Sequence, residues 1–361
     1  MARIGIPLFT FLFLATSSVI LFINNNLFDD VSFNGQFQSA SVKIPKGLTT
    51  GTNQNNVTQN TTINVSVSLH ATDTQQQRRP HLQEACEGLD AKKHPENIDG
   101  LSADTLKNMN HIIVIDKLKT LYCYIPKAGC TTMKRMLLEL SGHINSTYIP
   151  HEKGDIHVLA AKHFRSLREF SLEDANEKIK TYRKLVFVRE PFSRMLSAYR
   201  DKLESKGPFK KRCLRRMVNR DVRPMASGNE DLNITFGNFV DYLGNPRNTL
   251  ADPFEEHWRE MSRLCYPCRV PYDFIGHFEN FNEDVREGLQ TITHDVDVEI
   301  PASLKPTKSG NMDTLVKYYS QLSSTQLESL YKRLATDIEL FNYKVPSFIA
   351  DRLNSSLLSG L

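Results

Sequence analysis

Two segments of the chain repeat one pattern: a short apolar run, a turn of small residues or proline, and then apolar residues at helical spacing. In the first, Leu121–Ile125 is apolar and aromatic and predicts a buried strand, which Pro126 ends because proline lacks a backbone donor. Four apolar residues on one face predict a helix after it: Met133, Met136, Leu137 and Leu140. Thr131 or Thr132 can cap that helix, and Gly142 can end it.

The second segment follows the same order. Leu185–Val188 predicts a buried strand with Arg189 at its C-terminal end, and Pro191 suits the first turn of the next helix. Ser171–Arg183 predicts an amphipathic helix that leads into this strand. Its apolar face comprises Leu172, Ala175 and Ile179. Strands joined through a helix lie parallel with a right-handed crossover, so the sequence predicts an α/β fold around a central parallel sheet.

Four further stretches extend this prediction. Ile112–Ile115 predicts a strand that pairs with Leu121–Ile125. Phe236–Leu243 and Pro253–Leu264 predict helices. Ser324–Phe341 carries apolar residues at helical spacing, which we interpret as core packing.

The N-terminal pattern predicts a membrane anchor. Ile4–Ile23 carries no charge and at helical rise spans roughly 30 Å, the thickness of a bilayer core. Arg3 precedes it and acidic residues follow, so residues 1–3 are predicted to be a cytoplasmic tail. The alternative is a cleaved signal peptide, but the apolar run is long and no clear small-x-small site follows. We therefore expect an uncleaved signal anchor over residues 4–23.

Residues 24–105 predict a disordered stem, because they are polar, poor in aromatic residues and unable to bury enough apolar surface. Residues 106–361 then form the predicted lumenal domain. Glycosylation sequons support a lumenal chain. They begin at Asn56, Asn60 and Asn64 in the stem and at Asn145, Asn233 and Asn354 downstream.

The chain has 6 cysteines, which an oxidising lumen would favour as disulfides. Cys265 and Cys268 form one CxxC pair, but zinc would need a second pair, so we expect no metal site and favour a structural disulfide. Sequence alone leaves the pairing open. Cys130 is interpreted as a small packing residue.

The two strand–turn–helix segments each suit an anion. In the first, backbone N–H groups and the positive helix end would meet the exposed charge of Lys127. In the second, Arg189 and Ser197 can converge on one phosphate. An ordinary buried turn remains the alternative for the first segment, and the Walker pattern GxxxxGK[ST] is absent. Together the segments predict a crevice for a ligand with two anionic groups.

These residues resemble the Golgi carbohydrate sulfotransferases, which include the chondroitin 4-O-sulfotransferases. The loop that resembles their 5′-phosphosulfate site comprises Pro126, Lys127, Ala128, Gly129, Cys130, Thr131 and Thr132. The stretch that resembles their 3′-phosphate site comprises Arg189, Glu190, Pro191, Phe192, Ser193, Arg194, Met195, Leu196 and Ser197. Further matches are Asp116-Lys117, His257-Trp258, Leu264 to Cys268, Tyr272 to Gly276 and Asp337 to Tyr343.

The resemblance implies a P-loop-like sulfotransferase fold and 3′-phosphoadenosine 5′-phosphosulfate (PAPS) as sulfuryl donor, without a metal. It implies a glycan acceptor, with the 4-hydroxyl of N-acetylgalactosamine in chondroitin or dermatan as first choice. Terminal N-acetylgalactosamine or glucuronic acid on glycoproteins is the alternative acceptor. The implied location is the Golgi membrane, as a single-pass type II protein with a lumenal catalytic domain.

Lys127 and His157 are the predicted catalytic residues. Lys127 can stabilise charge on the bridging oxygen, and a general base would help a sugar hydroxyl to attack. His157 lies between the two motifs and is preferred over His163 and His257, although a structural role is the alternative. His257 is assigned to acceptor binding, with packing as its alternative.

A basic run over Lys206–Arg223 is either a solvated surface or a binding surface for a polyanionic glycosaminoglycan. The predicted acceptor-binding residues there are Lys210, Lys211, Arg215 and Arg216. A lumenal location excludes nucleic acid as partner, and the net charge of +4 does not argue for it.

Two other functions compete with this interpretation: a lumenal nucleotide kinase or phosphatase, and a non-catalytic anchored glycan-binding protein. Whether the chain forms a homo-oligomer is left open.

Overall fold

The computed structural model of the chain describes residues 74–91, 101–145, 153–204, 210, 234–245, 255–293, 300 and 307–358. The predicted anchor over residues 4–23 and the stem sequons at Asn56, Asn60 and Asn64 lie outside these ranges. Within them, no helix combines the length and the apolar character that crossing a bilayer requires.

A five-stranded mixed sheet, in the order β3-β1-β2-β4-β5, lies at the centre of the fold. The strands are β1 (Ile112–Ile115), β2 (Thr120–Cys123), β3 (Arg165–Ser166), β4 (Arg183–Val188) and β5 (Phe274–His277). β2, β4 and β5 run parallel, which confirms that both motif strands are neighbours in one parallel arrangement. β1 pairs antiparallel with β2, as predicted, and with β3, so the sheet is parallel only in its central and β5-side part.

The helices of the described ranges are numbered in chain order. They are α1 (Gln75–Ala91), α2 (Ala103–Asn108), α3 (Cys130–Leu140), α4 (Lys153–His163), α5 (Leu172–Thr181), α6 (Pro191–Tyr199), α7 (Phe236–Gly244), α8 (Met261–Cys265), α9 (Phe281–Gln290), α10 (Met312–Tyr319), α11 (Ser324–Leu340), α12 (Ser347–Ala350) and α13 (Ser355–Leu358). A π-helical turn, Arg200–Glu204, continues α6.

Most helix predictions hold, with two corrections. The helix predicted over Pro253–Leu264 is confined to Met261–Cys265 in its described part, because the residues just before it form turns. Leu172 is exposed rather than part of the apolar face of α5, because it lies in the first turn, next to the capping Ser171. The buried face of that helix is formed by Ala175 and Ile179.

Both faces of the sheet are covered, which explains why the motif strands are apolar throughout. Residues on one face of β2 and β4 pack with α1, α2, α5 and α8; they are Leu121, Cys123, Val186 and Val188. Residues on the opposite face pack with α3, α4 and α9; they are Tyr122, Leu185 and Phe187. A third cluster joins α6, α7, α10 and α11. The two motif helices, α3 and α6, therefore belong to different packing layers.

Helix α1 lies within the stretch predicted to be a disordered stem, and that part of the prediction is wrong. Arg78 is buried and donates to Asp284 Oδ2 at 2.6 Å and to the Ile275 carbonyl at 2.9 Å. The Gln75 side-chain amide donates to the Ile275 carbonyl and accepts from its N–H, at 2.6 and 3.0 Å. These contacts place α1 against the edge strand β5 and satisfy its outer backbone groups.

Two disulfides join distant parts of the chain and confirm the structural interpretation of the CxxC pair. They are Cys86–Cys268 and Cys123–Cys265, so the two CxxC cysteines take different partners. Cys130 is a buried free thiol, in agreement with a packing role. Cys213 lies outside the described residues.

Candidate active site

The loop between β2 and α3 is shaped by two residues with left-handed backbone. Lys127 has φ 72° and Gly129 has φ 79°. A Cβ on Gly129 would lie 2.1 Å from Phe281 Cε2, so the position requires glycine. The prediction that Thr131 or Thr132 caps the helix is wrong, because α3 begins at Cys130 with Gly129 as N-cap. Glycine offers no side-chain acceptor to the first-turn N–H groups, which suits an anion at this helix end.

Lys127 does not extend into solvent as the sequence suggested. Its side chain is 8% exposed, and Nζ lies 3.0 Å from Asp201 Oδ2. The other members of the loop contribute mainly backbone: Ala128 and Cys130 are buried, and Thr131 and Thr132 are half-buried at the start of α3. The loop thus holds one ammonium group beside a helix N-terminus.

Arg189 connects the two predicted anion sites. Its Nη1 donates to the Lys127 carbonyl at 2.9 Å, and its Nη2 donates to Ser309 Oγ at 2.9 Å. The guanidinium carbon lies 4.3 Å from the centre of the Phe278 ring. Arg189 Nε is buried without a hydrogen-bond partner among the described residues, so the site has capacity for a further acceptor.

Hydroxyl groups complete the surroundings of Arg189. Ser197 Oγ lies 3.0 Å from Thr307 Oγ1, which lies 2.8 Å from Ser309 Oγ. The structure therefore brings Arg189 and Ser197 into one cluster with Thr307 and Ser309. A guanidinium and three hydroxyls within one chain of contacts is a set of donors that suits a phosphate.

The remaining residues of the second motif build its frame. Glu190 is the N-cap of α6 and accepts from the N–H groups of Phe192 and Ser193 at 2.9 and 2.6 Å. Arg194 is fully buried and its Nε donates to the Pro126 carbonyl at 3.1 Å, which fixes the first loop to α6. Burial lowers the pKa of Arg194 to about 10, so the guanidinium stays charged at neutral pH. Others of the motif are packed in the interior: Pro191, Phe192, Met195 and Leu196.

His157 is the candidate base that contacts the first loop's helix. Its Nε2 lies 3.1 Å from Thr131 Oγ1, and its Nδ1 lies 3.4 Å from Lys134 Nζ. By contrast, the ring of His163 stacks on His143 with centroids 4.0 Å apart. His257 Nδ1 lies 2.7 Å from Glu255 Oε1. The geometry thus separates His157 from the other two candidates.

The predicted acceptor and glycosylation residues are only partly within the described ranges. Lys210 is half-buried, whereas Lys211, Arg215, Arg216 and Asn233 lie outside them. Asn145 and Asn354 are exposed, which glycosylation requires.

One group of side chains in the described residues could hold a metal ion. Its possible ligand atoms lie within 4.8 Å of one another and belong to Glu255, Glu256 and His257. The absence of a metal remains a prediction.

Four residues of the site were missed in the sequence: Lys134, Asp201, Thr307 and Ser309. Lys134 is buried, and its Nζ lies 3.3 Å from the centre of the Tyr124 ring. Asp201 lies in a stretch where positive and negative residues alternate, a pattern that is typical of a solvated surface. The signal for Thr307 and Ser309 was a short polar run without periodic pattern inside the globular part of the sequence.

Comparison with known proteins finds one family model and several relatives. The family model "Sulfotransferase family" matches residues 110–344. Human carbohydrate sulfotransferase 9 is 33% identical over 282 residues, which cover 76% of this chain and 61% of that protein. Mouse carbohydrate sulfotransferase 11 is 31% identical over 284 residues, covering 76% and 77%, and mouse carbohydrate sulfotransferase 8 is 33% identical over 324 residues, covering 84% and 73%. No solved structure matches the chain.

Proposed function

The chain belongs to the sulfotransferase family and is a sulfotransferase enzyme, and we propose that it transfers a sulfuryl group from PAPS to a glycan hydroxyl. The observation that carries the proposal is the hydrogen bond from Arg189 Nη1 to the Lys127 carbonyl. It brings the two predicted anion sites into direct contact. PAPS carries anionic groups at its 3′ and 5′ positions, so its chemistry requires two such sites side by side.

The residues present fit this donor. The unpartnered Nε of Arg189 can donate to a 3′-phosphate, and Ser197, Thr307 and Ser309 add hydroxyls around it. The N–H groups that begin α3 suit the 5′-phosphosulfate, and Lys127 stabilises the charge that develops on the bridging oxygen. PAPS supplies the sulfuryl group, and the protein contributes positioning and charge stabilisation.

We assign the general-base role to His157. The acceptor hydroxyl would take the place of Thr131 Oγ1 beside Nε2, so that its proton passes to the imidazole. Its oxygen would bond to sulfur as the bond from sulfur to the bridging oxygen breaks, with adenosine 3′,5′-bisphosphate as the leaving group. The contact with Thr131 supports this assignment, because Thr131 lies in the loop that would hold the phosphosulfate. A neutral imidazole suits this role near neutral pH.

The proposed acceptor is chondroitin or dermatan, at the 4-hydroxyl of N-acetylgalactosamine. The basic run over Lys206–Arg223 supports a polyanion, since many weak contacts add up along a long chain. The relatives are named carbohydrate sulfotransferases, which supports a glycan without selecting one.

The proposed location is the Golgi membrane, with residues 4–23 as anchor and the catalytic domain in the lumen. The two disulfides support an oxidising compartment. If the anchor is uncleaved, the full-length protein stays with membranes after an alkaline wash. Secretion of a chain that begins shortly after residue 23 would instead support a cleaved signal peptide.

A panel of glycans tests the acceptor. Detergent-solubilised full-length protein is incubated with labelled PAPS and either chondroitin, dermatan, or glycoproteins with terminal N-acetylgalactosamine or glucuronic acid. We expect chondroitin to be preferred and the preference to weaken as salt rises. Replacing Lys210, Lys211, Arg215 and Arg216 with Ala should raise the KM for chondroitin without changing the KM for PAPS. Equal use of short neutral glycans, with no effect of the substitutions, would contradict the assigned acceptor.

A further inference from the structure

The ion pair between Lys127 and Asp201 lies at the loop of the first predicted anion site. Lys127 Nζ is 3.0 Å from Asp201 Oδ2, and the two side chains are 8% and 22% exposed. Lys202 Nζ lies 3.4 Å from the same oxygen. One carboxylate is therefore shared by two ammonium groups in a region of reduced solvent screening, where attraction between charges is stronger than in water.

Asp201 is placed by the same element that carries Ser197. Helix α6 continues into the turn Arg200–Glu204, and Asp201 follows Ser197 by four residues, so both lie on one side of this element. Ser197 belongs to the hydroxyl cluster beside Arg189, and Arg189 holds the Lys127 backbone. The element that forms one anion site thus supplies the counter-ion to the other.

We propose that Asp201 is a positioning residue that neutralises and holds the Lys127 ammonium in the donor-free enzyme, and that the anionic 5′ group of the donor displaces it. The inference rests on the proposed function, because it takes Lys127 as the residue that meets the donor. A carboxylate and a phosphate are both oxygen anions that accept from an ammonium group. The two compete for Lys127, so Asp201 lowers the affinity for the donor and keeps the charge of the loop low when the donor is absent.

Replacing the carboxylate with an amide removes this competition. In Asp201→Asn the side chain keeps its size but loses its charge, so it no longer competes as an anion for Lys127. We expect the Kd for adenosine 3′,5′-bisphosphate to fall about fivefold to tenfold, a modest effect for a partly exposed ion pair. The KM for PAPS should fall in the same direction, whereas the KM for the glycan should not change.

The experiment is calorimetric titration of adenosine 3′,5′-bisphosphate into full-length protein, in four forms. They are the wild type, Asp201→Asn, Lys127→Ala and the double variant, with thermal unfolding as the check that each is folded. Asp116→Asn is the matched control, since Asp116 forms an ion pair with Lys178 at 2.6 Å away from the crevice. We expect tighter binding in Asp201→Asn, no change in Asp116→Asn, and no gain from Asp201→Asn when Lys127 is already Ala.

Three results separate the inference from the function on which it rests. Unchanged or weaker binding in folded Asp201→Asn would overturn the role of Asp201 while leaving the donor site intact. A gain that persists in the Lys127→Ala background would also overturn it, because the effect would not act through Lys127. Failure of the folded wild type to bind the bisphosphate at all would overturn the proposed function, and the inference with it.

Discussion

At the residue scale, Lys127 and Arg189 connect two motifs that are far apart in the sequence. Arg189 uses one Nη group on the Lys127 carbonyl and the other on Ser309, and its Nε points to no protein acceptor among the described residues. One guanidinium therefore fixes the loop, and in the proposed function its Nε is the donor to the 3′-phosphate. Arginine suits this double task because its donors form a rigid planar fork, which lysine lacks.

The first prediction concerns this fork and its hydroxyl partners. Arg189→Ala should raise the KM for PAPS more than Ser197→Ala or Ser309→Ala, because it removes a charge and releases the Lys127 backbone. The 3′-phosphate does not react, so the two serine variants should raise the donor KM by roughly tenfold or less while kcat stays near its original value. Steady-state kinetics measures this, with each substrate varied in turn while the other is saturating. An effect of the serine variants confined to the glycan KM would contradict the assignment of the cluster to the donor.

At the residue scale the sequence predicted Lys127, Arg189, Ser197 and His157 because each stands in or between local patterns. It could not predict Thr307 or Ser309, whose partners are 110 and 120 residues away in the chain. Asp201 was also out of reach: its contact with Lys127 spans 74 residues and depends on how α6 crosses the loop. Such pairs are decided by tertiary packing rather than by local spacing.

At the element scale, α1 is part of the globular domain and covers the edge of β5. Its buried Arg78 faces Asp284, which also accepts from the His277 N–H. The disulfide Cys86–Cys268 fixes the other end of the helix. The composition of residues 24–105 did not predict that α1 packs on the domain, because its buried apolar residues, Leu82 and Ala85, stand among many polar ones. The partner of its buried Arg78 is Asp284, which is 206 residues away in the chain.

The second prediction follows from this buried ion pair. Arg78→Ala should lower the free energy of unfolding by about 3–5 kcal/mol, because it leaves Asp284 charged and buried without its cation. Urea denaturation of the full-length protein measures the change. Arg79→Ala is the control, since Arg79 is an exposed neighbour on the same helix and should change stability little. Equal, small effects of both variants would show that the Arg78–Asp284 ion pair does not stabilise the domain.

At the scale of the whole molecule, the buried His277 contributes to the pH dependence of stability. Burial, together with a smaller contribution from the charge of Arg78, lowers the pKa of His277 to about 3. In the unfolded chain the ordinary pKa is about 6.5. As pH falls below about 6.5 the unfolded state takes up a proton that the folded state refuses, so stability decreases.

The third prediction gives this dependence a size. Each pH unit between about 6.5 and the lowered pKa should cost about 1.4 kcal/mol from this residue. His277→Phe keeps an aromatic ring beside Tyr343, on which His277 stacks with centroids 4.9 Å apart. Urea unfolding at pH 7 and pH 5 should show a smaller loss in the variant than in the wild type, by about 2 kcal/mol. Equal losses in both proteins would mean that His277 titrates alike in the folded and unfolded states.

The sequence predicted those elements whose local hydrophobic pattern matches their burial in the fold. The apolar strands, the β1–β2 pairing and helices α3, α5, α6 and α11 followed from periodicity and turn residues. The antiparallel β3 was not predicted, because its two residues carry no strand pattern. The pairing of Cys86 with Cys268 and of Cys123 with Cys265 also required the fold, since spacing along the chain does not select partners.

The most direct test of the central claim is sulfuryl transfer by the wild type and by Lys127→Ala. Labelled PAPS is supplied with a pool of the glycans named above, so that the result does not depend on one acceptor. We expect label in glycan with the wild type and a rate roughly 10²–10³ lower with folded Lys127→Ala, because the ammonium group stabilises the leaving oxygen. Near-normal transfer by folded Lys127→Ala, or no transfer to any glycan by the folded wild type, would contradict the account.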